Sequence, residues 1–130
     1  LELISNLSRE NNTSVIFITH NLGIVAQISD KVAVIYLGKV VEEAKTRDIF
    51  RKPFHPYTEG LLKAVPVLHK FDTKGKPLFE IPGSVGTPYE IPSGCAFHPR
   101  CFKKNKKCEE LTPPLIEIEE DHKVACWLYM

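Results

Sequence analysis

Apolar residues recur with helical spacing at the start of the chain. Leu1, Ile4 and Leu7 fall three residues apart and form one apolar stripe on a helix that ends at the asparagine pair 11–12. Residues 15–18 are then an unbroken run of β-branched and aromatic side chains. A run without polar alternation is typical of a strand buried on both faces, as in the parallel sheets of α/β proteins. We therefore expect a helix followed by a buried parallel strand.

A second strand is predicted to pair with the segment that follows it. Residues 22–28 favour a short, mostly apolar helix, for which Asn21 is a suitable N-cap. Residues 32–36 are again β-branched and apolar, and a glycine-containing turn and a valine pair come after them. Residues 32–43 are therefore expected to form a β-hairpin.

Two short helices are expected after the hairpin. Thr46 can cap the first, which has to end before Pro53 because the residue before a proline disfavours helical backbone angles. His55 and Pro56 can start the second, since proline is tolerated in the first helical turn, and Pro66 ends it. We interpret His55 as a structural cap or turn residue.

Proline and glycine become frequent after these helices, and all four cysteines follow that stretch. Such a composition does not hold regular helix, and it predicts an extended connector that lies on the preceding domain. The chain then divides into four parts: an α/β core part at 1–44, a two-helix extension at 45–66, the connector at 67–94, and a small irregular four-cysteine tail at 95–130.

Composition and charge narrow the class of protein. The 130 residues are 43% apolar and 25% charged, as in soluble globular proteins, and a formal net charge of +1 argues against a nucleic-acid partner. The longest apolar stretch, residues 32–37, is far shorter than the roughly 18 residues of a membrane-spanning helix. No export signal opens the chain, so we expect the cytosol, where cysteines more often bind metal or do redox chemistry than form disulfides.

His20 directly follows the buried run and precedes a predicted helix. In open α/β sheets, ligands bind at the carboxyl ends of the strands. An imidazole placed there can donate a hydrogen bond to a phosphate oxygen that carries charge in a transition state. A single histidine at a strand end is more often a polar loop residue. A phosphate-binding role for His20 therefore depends on the residues around it in the sequence.

Those neighbours resemble the switch region of ABC-transporter ATPases. Residues 15–23 match the strand that delivers a histidine to the γ-phosphate of ATP, and residues 29–34 and 38–43 are similar to the last sheet hairpin of the same domains. The resemblance implies an α/β fold that is the C-terminal part of an ABC-type ATPase domain. It also implies that His20 senses the γ-phosphate.

The Phe-His-Pro-Tyr-Thr stretch at 54–58 is the most family-specific part of the chain. With residues 60–66 and the Ile-Pro-Gly-Ser-Val block at 81–85, it resembles the extension that follows the ATPase core in oligopeptide and dipeptide importers. The resemblance implies an ATPase subunit that couples ATP hydrolysis to peptide uptake at the cytoplasmic face of the plasma membrane. Its implied partners are a second ATPase subunit, transmembrane permease subunits and, indirectly, an extracytoplasmic peptide-binding protein.

Several motifs of an ABC ATPase do not occur in this sequence. There is no G-x-x-x-x-G-K-S/T phosphate loop, no Leu-Ser-Gly-Gly signature and no acidic Walker B strand. Phosphate binding depends mainly on the backbone amides and the lysine of that loop. We therefore expect ATP and Mg²⁺ to bind only in the full subunit, and these 130 residues alone to be inactive. Asn21 and Ala44, where aspartate and glycine are usual, are smaller departures that do not touch this chemistry.

The four cysteines are candidate metal ligands: Cys95, Cys101, Cys108 and Cys126. Five, six and seventeen residues separate them, whereas zinc sites usually take close pairs with two to four intervening residues, so zinc is disfavoured but stays open. Four thiolates on wider loops suit a 4Fe–4S cluster. Residues 92–101 and 124–126 resemble the cysteine-rich tail of importer ATPases, which carries such a cluster in some members. A structural staple is the leading role, because so small a tail buries little core by itself, and redox sensing is the alternative.

Charges of opposite sign flank Cys108. Five basic residues lie between 100 and 107 without an acid, and six acidic residues lie between 109 and 121. The two groups are expected to be solvated faces that pair with each other, or the cations stabilise an anionic cluster. A third interpretation is that the basic face contacts anionic lipid at the membrane.

A different class of function is a stand-alone iron–sulfur or zinc-binding interaction module. Such a module has no need of a phosphate-site edge and a hairpin ahead of its cysteines, so the importer subunit is preferred. A basic RNA- or DNA-binding domain would rest only on residues 100–107 and fits the near-zero net charge poorly.

Overall fold

The structure is a computed structural model that describes residues 1–65, 79–87 and 89–130. In these ranges the chain forms five α-helices and four β-strands. The helices are α1 Glu2–Glu10, α2 Leu22–Ile28, α3 Thr46–Arg51, α4 Pro56–Ala64 and α5 Lys106–Glu110. The strands are β1 Lys31–Tyr36, β2 Lys39–Lys45, β3 Ile116–Glu119 and β4 His122–Val124. Short 3₁₀ turns lie at His98–Arg100 and Trp127–Tyr129.

Strands β1 and β2 form the predicted hairpin and pair antiparallel along their length. The two turn residues between them have positive φ angles, 44° at Leu37 and 77° at Gly38. These angles belong to the two-residue turns whose twist matches that of a hairpin. Glycine adopts them without a steric penalty, which is why Gly38 marks the turn in the sequence.

The sheet continues into the cysteine-rich part of the chain. Its strand order is β1-β2-β4-β3, and neighbouring strands are antiparallel. Strand β4 lies beside β2, with Val124 opposite Glu42, and β3 follows at the edge. The tail was predicted to be irregular, and this was wrong: it adds two strands and helix α5. Strands of four and three residues that carry several charges are too short to give a clear alternating pattern.

The main hydrophobic core lies between the hairpin and the tail. Its buried residues are Val34, Tyr36, Val41, Ala96 and Phe97. Phe97 is 1% exposed, and its ring centroid lies 5.2 Å from that of Tyr36 and 5.3 Å from that of Tyr57 on α4. Tilted and edge-to-face aromatic contacts of this kind add to the free energy gained by burial. The tail is therefore packed on the hairpin, with α4 beside both.

The parallel strand predicted over residues 15–18 is not formed. Residues 13–19 have no regular secondary structure, and Ile16 and Ile18 are 91% and 93% exposed. A strand is stabilised by hydrogen bonds to neighbouring strands, and the described residues place none beside this run. The mixed α/β composition is confirmed, but the sheet within these ranges is antiparallel.

Two predicted helix caps have different outcomes. Asn21 caps α2 as predicted, since its Oδ1 accepts hydrogen bonds from the amides of Gly23 and Ile24 at 3.0 and 3.2 Å. The cap predicted at Thr46 was wrong, because its hydroxyl instead donates to the Ser29 carbonyl at 2.6 Å. That hydrogen bond ties the start of α3 to the end of α2.

The helix ends follow the prolines. Helix α3 ends at Arg51, ahead of Pro53, and α4 begins at Pro56, as predicted. The end predicted at Pro66 and most of the connector lie outside the described residues. The described parts of the connector, 79–87 and 89–94, contain no helix or strand. Among the residues described, none of the helices is both long and apolar enough to pass through a membrane.

Candidate functional site

His20 lies just before α2 and is exposed. The hydroxyl of Thr19 accepts a hydrogen bond from the amide of Asn21 at 3.0 Å, which fixes the backbone on both sides of the histidine. An open hollow of about 370 Å³ adjoins the ring and is lined by His20, Asn21, Leu22, Gly23, Leu61, Ala64 and Val65. The imidazole is thus accessible to an anionic group, and its surroundings come from the start of α2 and the end of α4.

His55 is buried and caps α4. It is 1% exposed, and its Nδ1 accepts a hydrogen bond from the amide of Tyr57 at 3.1 Å. Burial lowers the pKa of His55 to about 4, so near pH 7 the ring is neutral and keeps the lone pair that caps the helix. The structural interpretation of His55 is confirmed.

Glu42 joins three segments of the chain through one buried carboxylate. Its Oε1 accepts hydrogen bonds from the amide of Phe54 at 2.6 Å and from Nε2 of His122 at 2.8 Å, and its Oε2 accepts one from the amide of His55 at 3.0 Å. The glutamate is 0% exposed. A carboxylate with three donors tolerates such burial, because the hydrogen bonds offset the loss of water. We define Glu42 and its three donors as the Glu42 junction.

Sequence reasoning missed the Glu42 junction. Glu42 lies in β2, Phe54 and His55 precede α4, and His122 is 80 residues away in β4. Period and spacing report only local structure, so they contain no signal for this contact. Glu42 and His122 lie at buried positions of adjoining strands, and buried polar groups of this kind require hydrogen-bond partners.

The cysteines surround the segment that covers the hairpin. Cys95 and Cys101 are half-buried on either side of Phe97, while Cys108 in α5 and Cys126 after β4 are buried. All four are free thiols. The amide of Cys95 donates a hydrogen bond to the carbonyl of Cys108 at 2.8 Å, which holds these two backbone segments together.

The thiols influence one another. Burial raises the pKa of Cys126 to about 11, and the other three thiols act in the same direction. Burial also raises the pKa of Cys95 and of Cys101, with neighbouring cysteines again adding to the effect. The amide of Lys103 opposes this at Cys101, since it donates a hydrogen bond to Sγ at 3.4 Å. Cys95, Cys101 and Cys126 are therefore unreactive as free thiols near pH 7, and a bound cation would stabilise their thiolates.

The structure brings the four cysteines into one neighbourhood but does not arrange them around one ion. In the ranges 1–65, 79–87 and 89–130, no three histidine, cysteine or acidic side chains are grouped so that they can hold a metal ion. His20 lies apart from the thiols along α4. Tyr57 at the start of that helix contacts Phe97, whereas Ala64 at its end lines the hollow beside His20.

The charged residues around Cys108 pair with neighbours. Lys104 lies 3.0 Å from Glu109, which agrees with the expectation of faces that pair across the sign change. Lys103 instead reaches Glu59 on α4 at 2.7 Å, and hydrogen bonds from Lys103 and Lys63 lower the pKa of Glu59. The guanidinium of Arg100 donates to the carbonyls of Ile81 and Pro82 and so holds the Ile-Pro-Gly block against the tail.

Comparison with known proteins identifies the family to which this chain is similar. Residues 41–108, from β2 through the His-Pro-Tyr segment to Cys108, match a family described as the oligopeptide/dipeptide transporter, C-terminal region. The chain is 46% identical over 129 residues to the oligopeptide transport ATP-binding protein AppD of Bacillus subtilis (strain 168). This match covers 99% of the chain and 38% of AppD.

Two further relatives agree. The chain is 42% identical to the dipeptide transport ATP-binding protein DppD of the same strain, and 42% identical to the oligopeptide transport ATP-binding protein OppD of Salmonella typhimurium. Each match covers 98% of this chain, and the chain spans 37% of the length of each of these relatives. The chain therefore belongs to the oligopeptide/dipeptide transporter family, in its C-terminal region.

Proposed function

We propose that the chain is the C-terminal region of an ABC-importer ATPase subunit that couples ATP hydrolysis to peptide uptake. The observation that carries this proposal is 46% identity, over 99% of the chain, to an ATP-binding protein of oligopeptide transport. Nothing in these matches favours a stand-alone metal-binding module, because these relatives are named as ATP-binding proteins of peptide transport. We assign the subunit to the cytoplasmic face of the plasma membrane as a peripheral protein.

His20 is the proposed contact to the γ-phosphate of ATP, which binds with Mg²⁺ in the intact subunit. Its ring is exposed, and the capped start of α2 fixes the backbone beside it. A donor fixed in this way stabilises charge that develops on a phosphate oxygen without having to reorganise during the reaction. The phosphate loop that binds the rest of the nucleotide is not in this sequence, so the 130 residues alone are inactive.

Transport also requires proteins that this chain does not contain. The relatives are named for oligopeptide and dipeptide transport, and we propose peptides as the cargo here. The proposed partners are a second ATPase subunit and transmembrane permease subunits. An extracytoplasmic peptide-binding protein acts indirectly by delivering the peptide.

The test of His20 is the substitution His20→Ala in the intact subunit assembled with its partners. Loss of one preorganised donor to developing charge lowers such rates by about 10²–10³-fold, so ATP hydrolysis should fall by that order. Asn21→Asp is the matched control, because aspartate caps a helix as well as asparagine does, and it should hydrolyse ATP at the unchanged rate. A His20→Ala protein as active as the control would refute the assignment.

We also propose that Cys95, Cys101, Cys108 and Cys126 hold a metal group, a 4Fe–4S cluster in preference to zinc. The Cys101 sulfur accepts a hydrogen bond from the amide of Lys103 at 3.4 Å, and neighbouring thiols raise the pKa of Cys95, Cys101 and Cys126. Amide donors to sulfur are a feature of iron–sulfur sites. Four sulfur ligands that do not converge on one ion suit a larger cluster better than a single zinc ion. When bound, the group would cross-link three segments: the loop that contains Cys95 and Cys101, helix α5, and the residues that follow β4.

The metal proposal is tested on protein purified without oxygen. We expect iron and acid-labile sulfide in a fixed ratio to protein, with visible absorption, and loss of both on Cys126→Ser. One zinc ion per protein chain, without visible absorption, would show that the site binds zinc instead of an iron–sulfur cluster. Protein that contains neither metal, when purified with or without oxygen, would refute the proposal.

A further inference from the structure

Two of the four cysteines, Cys95 and Cys101, pack against the face of the hairpin. Phe97, which lies between Cys95 and Cys101, is 1% exposed and stands edge-on to Tyr36 of β1, with 5.2 Å between ring centroids. Cys95 and Cys101 pack against the same core. Because interiors are close-packed, these two thiols cannot shift without a response from the hairpin.

A third cysteine is attached to the edge of the same hairpin. Strand β4 pairs with β2, and its last residue, Val124, is 0% exposed. The next amide, that of Ala125, donates a hydrogen bond to the carbonyl of Val41 at 2.9 Å. Cys126 follows immediately and is buried. Its thiol is therefore positioned by backbone pairing with β2.

Helix α4 begins at the thiol segment. The Tyr57 ring lies 5.3 Å from Phe97, and Glu59 pairs with Lys103 at 2.7 Å, two residues after Cys101. The Glu42 junction adds a second attachment, since it connects β2 and β4 to the residues that start the helix. The start of α4 is thus fixed to the loop that carries Cys95 and Cys101 and, through the Glu42 junction, to β4, which precedes Cys126.

The other end of α4 lies beside His20. Leu61, Ala64 and Val65 form one wall of the hollow that the histidine adjoins. A helix of two to three turns moves as one body on the scale of these contacts. A change in how its start is held is therefore transmitted to that wall.

We infer that loading of the four-cysteine site sets how firmly β2 and α4 are held, and so relays the state of the tail to the surroundings of His20. The inference rests on the metal site proposed above. A bound group would join the loop on the hairpin face to the segment at the hairpin edge, so that neither opens without the other. Linkage makes the effect reciprocal: contacts that fasten α4 also slow the release of the metal.

Hydrogen exchange of the intact subunit tests this relay. The loaded protein is compared with protein stripped by a chelator, and metal content and absorption are measured on each sample. We expect several-fold faster exchange after stripping in peptides that cover β2 and α4, besides faster exchange in the tail itself. Helix α1, which buries no residue, should exchange equally in both and serves as the internal reference.

The outcomes separate this inference from the metal proposal. If metal is bound and stripping changes only peptides from 95–108 and 122–130, the relay is refuted while the metal site stands. If no preparation contains metal, both are refuted.

Lys103→Ala and Lys104→Ala form a matched pair for the reciprocal effect. Both lysines carry the same charge and have similar side-chain exposure, 44% and 46%, but Lys103 pairs with α4 and Lys104 pairs within the tail. Lys103→Ala should release metal to a chelator up to about fivefold faster than Lys104→Ala, the range that one exposed ion pair supplies. Equal release rates would overturn the part of the relay that runs through α4.

Discussion

Residues 15–18 and residues 32–36 are alike as sequence and opposite as structure. Both are β-branched and aromatic, but Val34 and Tyr36 are 8% and 4% exposed in β1, whereas Ile16 and Ile18 are 91% and 93% exposed. Strand β1 has β2 as a partner, joined to it by a two-residue turn, so its backbone hydrogen bonds form locally. The first run has no partner among the described residues. An apolar run thus specifies a strand only together with the strand that completes it.

The same contrast extends to the flanking helices. Helices α1 and α2 bury no residue fully, whereas α3, α4 and α5 each bury at least one. The Glu42 junction joins β2 and β4 to the residues that precede α4. Stability should therefore be concentrated in the hairpin, α4 and the tail, and substitutions there should cost much more than substitutions in residues 1–20.

The largest effect is expected for Glu42→Ala. It removes the acceptor shared by three donors, of which those of His55 and His122 are buried. A buried donor left without a partner costs about 1–3 kcal/mol, so the unfolding free energy should fall by about 2–6 kcal/mol. Glu43→Ala is the matched control, because that neighbouring side chain is 24% exposed and pairs with Lys31 at the surface, where an ion pair contributes about 0–1 kcal/mol. Urea denaturation measures both, and equal losses would show that the junction does not hold the packed region together.

Gly94→Ala should follow. Gly94 has a φ of +68°, and a Cβ there would lie 2.4 Å from the carbonyl oxygen of Cys108. Gly38, with a φ of +77° and no atom within 4 Å of the corresponding Cβ, is the control. The left-handed conformation costs about 1–2 kcal/mol at either site, and overpacking adds about 1–3 kcal/mol at Gly94 alone. Equal destabilisation of the two variants would contradict close packing at the cysteine loop.

Acid should weaken the packed region through His55. Burial lowers its pKa from 6.5 to about 4, so the unfolded chain accepts a proton that the folded chain resists. The stability supplied by the neutral ring is complete above pH 6.5 and is lost as the pH falls towards 4, by at most about 3 kcal/mol. His55→Asn can still cap α4 but does not titrate, so denaturation at pH 4–7 should show a flatter profile. An unchanged slope would place the titration elsewhere.

Local signals account for the elements that the sequence predicted correctly. The hairpin depends on Gly38 and two flanking apolar runs, the start of α4 on Pro56, and the start of α2 on Asn21, and each of these acts within a few residues. The cap predicted at Thr46 was wrong because the Thr46 hydroxyl donates a hydrogen bond to the carbonyl of Ser29, 17 residues earlier. No local sequence pattern reveals such a contact. The Glu42 junction, between residues 80 positions apart, escaped for the same reason.

The candidate site shows the same division. His20 and the four cysteines were found through the likeness of whole segments to a family, since neither a lone histidine nor an irregular cysteine spacing is specific. Their arrangement at the two ends of α4 depends on the packing of Tyr57 on Phe97, two residues 40 positions apart. Sequence patterns name such residues but do not place them in relation to each other.

The smallest effect on stability, and the sharpest test of the contrast, is expected for Ile16→Lys combined with Ile18→Lys. Both side chains are exposed, so the unfolding free energy of the 130-residue chain should change by less than about 0.5 kcal/mol. An apolar run without a partner strand invites pairing between chains, and light scattering should show self-association that the two lysines abolish. Ile35→Lys is the control, because Ile35 is 58% exposed but lies in the already paired strand β1. If Ile35→Lys abolished self-association and the double lysine variant did not, the chains would associate through β1. The prediction that residues 15–18 pair between chains would then be wrong.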